Sequence, residues 1–323
     1  MPLPVSVVLM PDAPVADVVE LAVLAEQLGL AKCWVYDEGL VTRDVYVTLT
    51  AIASRTNRIS LGPGITNPFV RHPGATAAAI ASLDEFSDGR AFIGLGTGGG
   101  LTLGPLGIQR RQPLTTVAEM IKTLRGLFAG ERVDHDGLNF SFVNAHLDYA
   151  RPDIEIILAG RGPKVTALGG AVADGFLLSY IHKGLLGSHA RALRAACGGR
   201  PFHISYSTMI ATTDAQLEEA RAQLTFRLVD SPPEVKQLVG ISDSDVAKIR
   251  SALAEGGPRH AARHVNPEWV SPFVISGTVS ECAAEIAELL STNDIDEFLL
   301  SVLEVDGGAA LIERTATMFT DPT

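Results

Sequence analysis

Residues 61–100 read LGPGITNPFVRHPGATAAAIASLDEFSDGRAFIGLGTGGG, and this stretch decides the fold. An apolar run ends in Gly-Pro-Gly, a polar loop leads into an alanine-rich segment, and a second apolar run enters a glycine-rich turn. This order predicts one βαβ unit in which both strands end in loops that a ligand can approach closely. Parallel α/β folds place their sites at such strand ends.

The same alternation of short apolar runs and longer helical segments extends over all 323 residues. Helical segments begin at Pro73, Pro113 and Pro163, where the missing backbone N–H would be unpaired in any case. Eight strands alternating with helices predict an α/β fold of the TIM (β/α)8 barrel type, with residues 1–323 as a single domain. The predicted strands are residues 5–9, 33–36, 59–65, 91–95, 154–158, 175–179, 203–210 and 296–302.

Two long stretches interrupt this alternation. Residues 96–112 are rich in glycine and leucine, and residues 226–272 carry five prolines among charged helical pieces. Connections longer than about 15 residues are usually functional or disordered. We therefore predict two insertions, the second of which forms a lid or cap before the last strand.

Composition narrows the possible partners and the compartment. The formal net charge of −11 and the sequence pI of about 5.2 exclude a global attraction to nucleic acid or an anionic membrane. The three cysteines are scattered without a Cys-x-x-Cys pair, which favours a reducing compartment and argues against structural zinc. No apolar run approaches the roughly 20 residues of a membrane span. We expect a soluble cytoplasmic protein without a metal site.

The glycines of residues 94–99 match the spacing of the dinucleotide-binding fingerprint G-x-G-x-x-G. That fingerprint belongs to the first strand of a Rossmann unit, whereas here it follows the fourth strand and Pro105 delays the next helix. The favoured interpretation is a loop at Thr97, Gly98 and Gly99 that lets a ligand lie against the backbone. A plain turn is the remaining alternative.

A second glycine-rich turn, residues 159–164, links the fifth predicted strand to a helix. Backbone N–H groups and the positive end of the helix dipole can hold a phosphate there, with two basic side chains adding charge. The alternative is an ordinary turn with solvated basic residues. The candidate anion-binding residues are Gly160, Arg161, Gly162, Pro163 and Lys164.

Three further side chains stand where chemistry is expected. Asp37 and Glu38 end the second predicted strand, and a carboxyl group there can hydrogen-bond a heterocycle or donate a proton if burial raises its pKa. One of the two could instead cap the following loop. His72 precedes Pro73 and is either a site residue or a helix-start histidine bonded to backbone.

At these motifs the chain resembles the bacterial luciferase-like superfamily, and within it the coenzyme F420-dependent oxidoreductases related to methylenetetrahydromethanopterin reductase. Four stretches in the family's order carry the resemblance: GPGITNPFVRHP (62–73), AAAIASLDEFSDGRAFIGLGTGG (77–99), AGRGPKVTALGGAVADGFLLS (159–179) and FVISGTVSECAAEI (273–286). It implies a TIM barrel with insertions, often dimeric, that binds a deazaflavin or a flavin at the C-terminal ends of its strands.

The resemblance also implies roles for the candidate residues. A cis peptide bond between Gly64 and Ile65 would bulge the third strand beneath the cofactor ring, which Thr66 and Asn67 would line. The turn at 160–164, helped by residues 97–99, would hold the phosphate, and Asp37 and Glu38 would stand at the rim. Dimers would form through the helices after the second and third strands.

The expected activity is hydride transfer between reduced F420 and a small organic substrate, with Glu38 or His72 delivering a proton. Relatives carry acidic residues where this chain has Val8 and the turn 97–99, so the resemblance leaves the substrate open. One alternative is an FMN-dependent monooxygenase, which would need oxygen and a partner flavin reductase. Another is a non-catalytic flavin-binding protein. A last alternative is an unrelated phosphate-binding barrel, but this chain has no convincing Schiff-base lysine at a strand end.

Overall fold

The computed structural model describes residues 4–320, in which strands and helices alternate along the chain. The strands are β1 (Val5–Leu9), β2 (Lys32–Val35), β3 (Ser60–Pro63), β4 (Phe92–Leu95), β5 (Val133–Asp136), β6 (Ser141–Ala145), β7 (Glu155–Gly160), β8 (Gly175–Ser179), β9 (His203–Ala211), β10 (Val274–Ser276) and β11 (Glu297–Val302). The α-helices are α1 (Val15–Gln27), α2 (Val45–Ala53), α3 (Pro73–Phe86), α4 (Gly100–Leu103), α5 (Pro113–Phe128), α6 (Pro163–Val172), α7 (Leu186–Ala196), α8 (Asp214–Val229), α9 (Pro233–Val239), α10 (Asp243–Ala261), α11 (Val279–Asn293) and α12 (Gly308–Thr320).

Eight parallel strands follow one another around a barrel in the order β3, β2, β1, β11, β9, β8, β7 and β4. Two bridges, Leu61 to Ala91 and Thr66 to Leu95, close the ring between β3 and β4. These strands coincide with the eight predicted ones, and the predicted TIM barrel is confirmed. None of the helices described between residues 4 and 320 is both long and apolar enough to span a membrane.

The barrel interior is packed with side chains, so we expect a ligand to bind at its open end. Apolar side chains from six of the eight strands fill the centre, and the partly buried Tyr36 and Ile65 cover them at the ends of β2 and β3. We call this end of the barrel, where the strands finish, the mouth. The residues filling the centre are Val8, Trp34, Phe92, Ile157, Ala159, Leu177 and Leu299.

The cap is larger than the sequence indicates. β9 continues beyond the barrel, and its last three residues pair with β10 instead of with β11 or β8. Helices α8, α9 and α10 lie between β9 and β10, and α8 and α10 pack on each other. The barrel helix that follows β9 is α11, which packs beside α7 and α12. The insertion therefore begins before the predicted residue 226, because the whole of α8 belongs to the cap.

Sequence patterns also missed an antiparallel hairpin of β5 and β6 after α5. Its strands are four and five residues long, and apart from the buried Phe142 their residues are partly or fully exposed. The hairpin reaches the mouth because the backbone of Ser141 bonds His72.

Candidate active site

The third strand carries a bulge directly beneath the mouth. Between its two bridges, β3 advances from residue 61 to 66 while β4 advances only from 91 to 95, so β3 holds one extra residue. The peptide bond between Gly64 and Ile65 inside this bulge is cis, at the position that the resemblance implies. Thr66 resumes the pairing, since its N–H donates to the Gly94 carbonyl over 2.9 Å. The half-buried Ile65 side chain therefore faces the mouth as part of its floor.

The first two glycines of the G-x-G-x-x-G motif serve this bulge. A Cβ atom on Gly94 would run into the Pro63 carbonyl and lie 2.7 Å from the Trp34 ring, and one on Gly96 would overlap the end of the Ile65 side chain. The glycines therefore let β4 approach β3 closely. The helix α4 begins only at Gly100, so the motif is not a Rossmann fingerprint.

The last glycine of the motif has room beside its backbone. A Cβ atom on Gly99 would meet nothing within 4 Å, whereas one on Gly98, whose φ of 75° favours glycine, would lie 2.9 Å from Leu103 Cδ1. Arg110 Nη1 donates to the Gly98 carbonyl over 2.7 Å and holds the loop. The loop therefore offers open backbone at Gly99.

Two carboxyl groups lie at the rim after β2. Thr102 Oγ1 donates to Glu38 Oε2 over 2.6 Å, which ties Glu38 to the glycine-rich insertion. Burial raises the pKa of both Asp37 and Glu38, and the charge of Asp37 raises the pKa of Glu38 further. A carboxyl group with a raised pKa retains its proton to higher pH and can donate it. Glu38 has the features of a general acid.

Thr66 and Asn67, predicted to line the ring, are both buried at the end of β3. The Asn67 Oδ1 atom accepts from the backbone N–H groups of Phe69 at 3.0 Å and Val70 at 3.1 Å. This turn fixes Asn67 in place. The two residues thus lie directly after the bulge, with their side chains almost fully covered by protein.

His72 occupies a different position from the one expected of a proton donor. Its Nδ1 atom accepts from the Gly74 N–H over 3.0 Å and caps α3, and its Nε2 atom lies 3.1 Å from the Ser141 carbonyl. An Nδ1 that accepts requires an Nε2 that donates. Backbone partners thus occupy both nitrogens, and the geometry supports the alternative of a helix-start histidine, which here also attaches the hairpin.

The turn after β7 presents an uncapped helix start to the mouth. α6 begins at Pro163, and no side chain caps the helix at Gly162. A Cβ atom on Gly162 would meet nothing within 4 Å, so the space beside this backbone is open as well. Lys164 is exposed and Arg161 is half-buried. Gly160, which ends β7, lies against Val165 so closely that any side chain there would overlap it.

Sequence reasoning missed five residues that the fold brings to the same place. The Tyr36 hydroxyl lies 3.5 Å from Ser301 Oγ, which is 2.9 Å from Ser207 Oγ, and burial raises the pKa of Tyr36. Arg227 of α8 stacks on the ring of Tyr180, with 3.3 Å between the guanidinium carbon and the ring centroid. No local pattern marks these residues, because they come from five separate parts of the chain. Only the closed barrel and its cap bring them together.

The residues present fit a deazaflavin or a flavin. The open glycine backbones at 99 and 162 are cradles that any Cβ atom would narrow, and the uncapped start of α6 suits a phosphate. The bulge gives a flat apolar ring its support. Among residues 4–320, no group of three or more His, Cys, Asp and Glu side chains is arranged to hold a metal ion.

Comparisons with known proteins agree with this geometry. The sequence model of the luciferase-like monooxygenase family matches residues 4–293. The chain is 36% identical over 289 residues to the 5,10-methylenetetrahydromethanopterin reductase of Methanolobus tindarius, an alignment that covers 87% of this chain and 88% of the reductase. An F420-dependent glucose-6-phosphate dehydrogenase of Beutenbergia cavernae is 35% identical over 174 residues, which is 50% of this chain and 52% of the dehydrogenase.

The fold is shared with solved structures at lower identity. The coenzyme F420-dependent tetrahydromethanopterin reductase of Methanopyrus kandleri superposes with a TM-score of 0.87 over 99% of both chains, at 23% identity. That likeness shows a shared fold. The match over residues 4–293 and the 36% identity show common ancestry. This chain belongs to the luciferase-like monooxygenase family.

Proposed function

We propose that this protein is a coenzyme F420-dependent oxidoreductase that transfers a hydride between the reduced deazaflavin and a small organic substrate. The bulge at Ile65 is the observation that carries the proposal. It provides an apolar support at the mouth, where the protonatable Glu38 and the uncapped start of α6 also follow strand ends. A relative named as an F420-dependent glucose-6-phosphate dehydrogenase aligns with half of this chain at 35% identity, which supports the choice of cofactor.

The chain's own residues divide the work. When bound, the deazaflavin supplies or accepts the hydride at its ring. Ile65 supports one face of the ring, Thr66 and Asn67 position it, and the turn 160–164 binds the phosphate far from the reacting carbon. Glu38 gives or takes the accompanying proton. The cap and the loop 97–99 exclude water from the open face.

The substrate of this chain is set by groups at the mouth other than a first-strand acid. Val8 lies inside the barrel at 2% exposure, packed with Trp34 and Leu299, so the β1 strand offers no carboxyl group to a substrate. The acidic side chain that we propose to act on the substrate is Glu38 instead. We therefore propose a reductase chemistry like that of the reductase relatives, on a substrate that differs at this contact.

The test is an anaerobic reaction screen with reduced F420 and candidate imine, carbonyl and alkene acceptors, followed by the return of the oxidised F420 absorbance. We expect turnover with at least one acceptor, in a reaction that does not need oxygen. Oxygen consumption with reduced FMN, supplied by a flavin reductase, would make the protein a monooxygenase. Failure of every acceptor to oxidise bound reduced cofactor would favour a non-catalytic flavin-binding protein.

We also propose that the protein is a homodimer through the surface beside α2 and α3. Leu40, Val41 and Val47 are 75%, 66% and 61% exposed and follow β2 closely in sequence, and Phe86 ends α3 at 59% exposure. Apolar side chains clustered on a surface commonly mark an interface. Light scattering should give twice the chain mass of 34.1 kDa, and Val47→Asp should reduce it. Leu238→Asp, at an exposed apolar residue of the cap helix α9, is the matched control, and a monomeric unmodified protein would refute the proposal.

A further inference from the structure

The cap brings a second arginine to the mouth. α8 begins just after the C-terminal end of β9, and a barrel helix starting there would descend along the outer wall. Arg227, in the last turn of α8, instead contacts Tyr180, which follows the C-terminal end of β8. Both ends of α8 therefore lie at the mouth. The helix holds a cationic side chain over the site.

The position of Arg227 is fixed by the chain. Its guanidinium group lies 3.3 Å from the centroid of the Tyr180 ring, and Nη1 donates to the Gln223 carbonyl over 3.1 Å. Tyr180 is 3% exposed and has a φ of 53°, a left-handed conformation that non-glycine residues adopt mainly where the surroundings enforce it. The ring is thus a rigid platform under the guanidinium group, and stacking on an aromatic face is a preferred arrangement for arginine.

Arg161 and Arg227, which we call the arginine pair, carry two positive charges without matching acids. Among residues 4–320 neither side chain forms an ion pair. Burial, and then the charge of Arg227, lowers the pKa of Arg161, while the exposed Asp230 offsets this in part. Two half-buried cations that repel each other are stabilised when an anion binds between them.

The two members of the arginine pair belong to different parts of the mouth. Arg161 lies in the turn proposed for the cofactor phosphate, while Arg227 reaches the mouth from the cap and stacks on Tyr180. The charge of Arg227 lowers the pKa of Glu38, so an anion bound at Arg227 would act on the proton donor. A cofactor phosphate, by contrast, belongs at the start of α6.

We propose that Arg227, next to Arg161, binds an anionic group of the substrate, so that this enzyme acts on a carboxylate- or phosphate-bearing compound. This inference rests on the proposed F420-dependent reaction for the identity of the second ligand. The anion must be a planar carboxylate or a tetrahedral phosphate group, because a guanidinium group binds the oxygens of either with paired hydrogen bonds.

The test uses the F420-loaded protein and inorganic phosphate as the probe, with isothermal titration calorimetry. The unmodified protein should bind phosphate, Arg227→Met should weaken that binding at least tenfold, and Arg227→Lys should fall between them. F420 affinity should change less than twofold in both variants. Arg250→Met, which removes an exposed charge from α10 of the same cap, should change neither value.

Two results would overturn the inference. F420 affinity that falls tenfold in Arg227→Met would assign this charge to the cofactor. Equal phosphate binding by all variants would remove the site. If F420 does not bind at all, the proposed function fails alone, and the same phosphate titration of the cofactor-free variants still decides whether Arg227 binds an anion.

Discussion

Packing between Gly96 and Ile65 gives a test of the floor beneath the cofactor. In Gly96→Ala, the new Cβ atom would overlap Ile65 Cδ1 and lie 3.3 Å from Cγ1. Because Cδ1 is the end of a half-buried side chain that can change rotamer, the cost should lie at the lower end of the about 1–3 kcal/mol range for overpacking. We expect a loss of about 1 kcal/mol in the free energy of unfolding. F420 affinity should fall as well, because Ile65 supports the ring.

A second substitution removes the atom that causes the overlap. Ile65→Val lacks Cδ1 and, at a half-buried position, should cost about 0.5–1 kcal/mol by itself. Combined with Gly96→Ala it should recover most of the loss, giving a coupling of about 0.5–1 kcal/mol between the two residues. Gly99→Ala is the matched control in the same loop. Its Cβ atom would meet nothing within 4 Å and its φ is −104°, so stability should be unchanged.

Urea unfolding followed by circular dichroism measures these differences, with F420 fluorescence as the second readout. Strictly additive losses in the double variant would show that Gly96 does not contact Ile65. Full stability and unchanged F420 affinity in Gly96→Ala would also refute the packing of the bulge described here.

Three further predictions concern individual side chains at the mouth. Glu38→Gln should lower kcat by roughly 10²–10⁴-fold in steady-state assays, because the side chain keeps its size and shape but loses the transferable proton. F420 affinity should stay within twofold, and an unchanged kcat would exclude Glu38 as the donor. Because burial raises the pKa of Glu38 and Asp37 in the folded state, their contribution to stability is complete below the ordinary carboxyl pKa and is lost as pH rises through the raised values. The gain in melting temperature of Glu38→Gln over the unmodified protein should therefore grow from pH 4 to pH 8, and a constant difference would contradict the shift. His72→Ala should cost about 1 kcal/mol in thermal unfolding, through the lost cap of α3, with kcat unchanged; a hundredfold loss of kcat at full stability would restore His72 as a catalytic group.

The barrel was predictable because its strands are short apolar runs separated by clear helix starts. Residues 5–9 and 175–179 correspond to β1 and β8 without any shift, and Pro73, Pro113 and Pro163 begin α3, α5 and α6 as predicted. Each of these signals is local. A parallel strand buried on both faces reads as a continuous apolar run wherever it occurs.

The elements that were missed lack such signals. β5 reads VDHD and lies partly exposed, so it shows no apolar run, and β10 has only three residues. The sequence of α8 resembles that of an ordinary barrel helix. Its place in the cap depends on the extension of β9, which is a tertiary feature.

The candidate site divides in the same way. Asp37, Glu38 and the turn 160–164 follow strands, and strand ends are predictable. His72 has two compatible interpretations in the sequence, and only the hydrogen bonds to Gly74 and Ser141 distinguish them. The contact of Arg227 with Tyr180 joins residues 47 positions apart through the cap, which no local pattern encodes.

The choice of cofactor is the central claim, and a parallel fluorescence titration of the purified protein with F420 and FMN tests it most directly. The account predicts saturable, tight binding of F420 and much weaker binding of FMN, with F420 affinity reduced in Arg161→Met at the start of α6. Preferential binding of FMN, or binding of neither, would contradict the account.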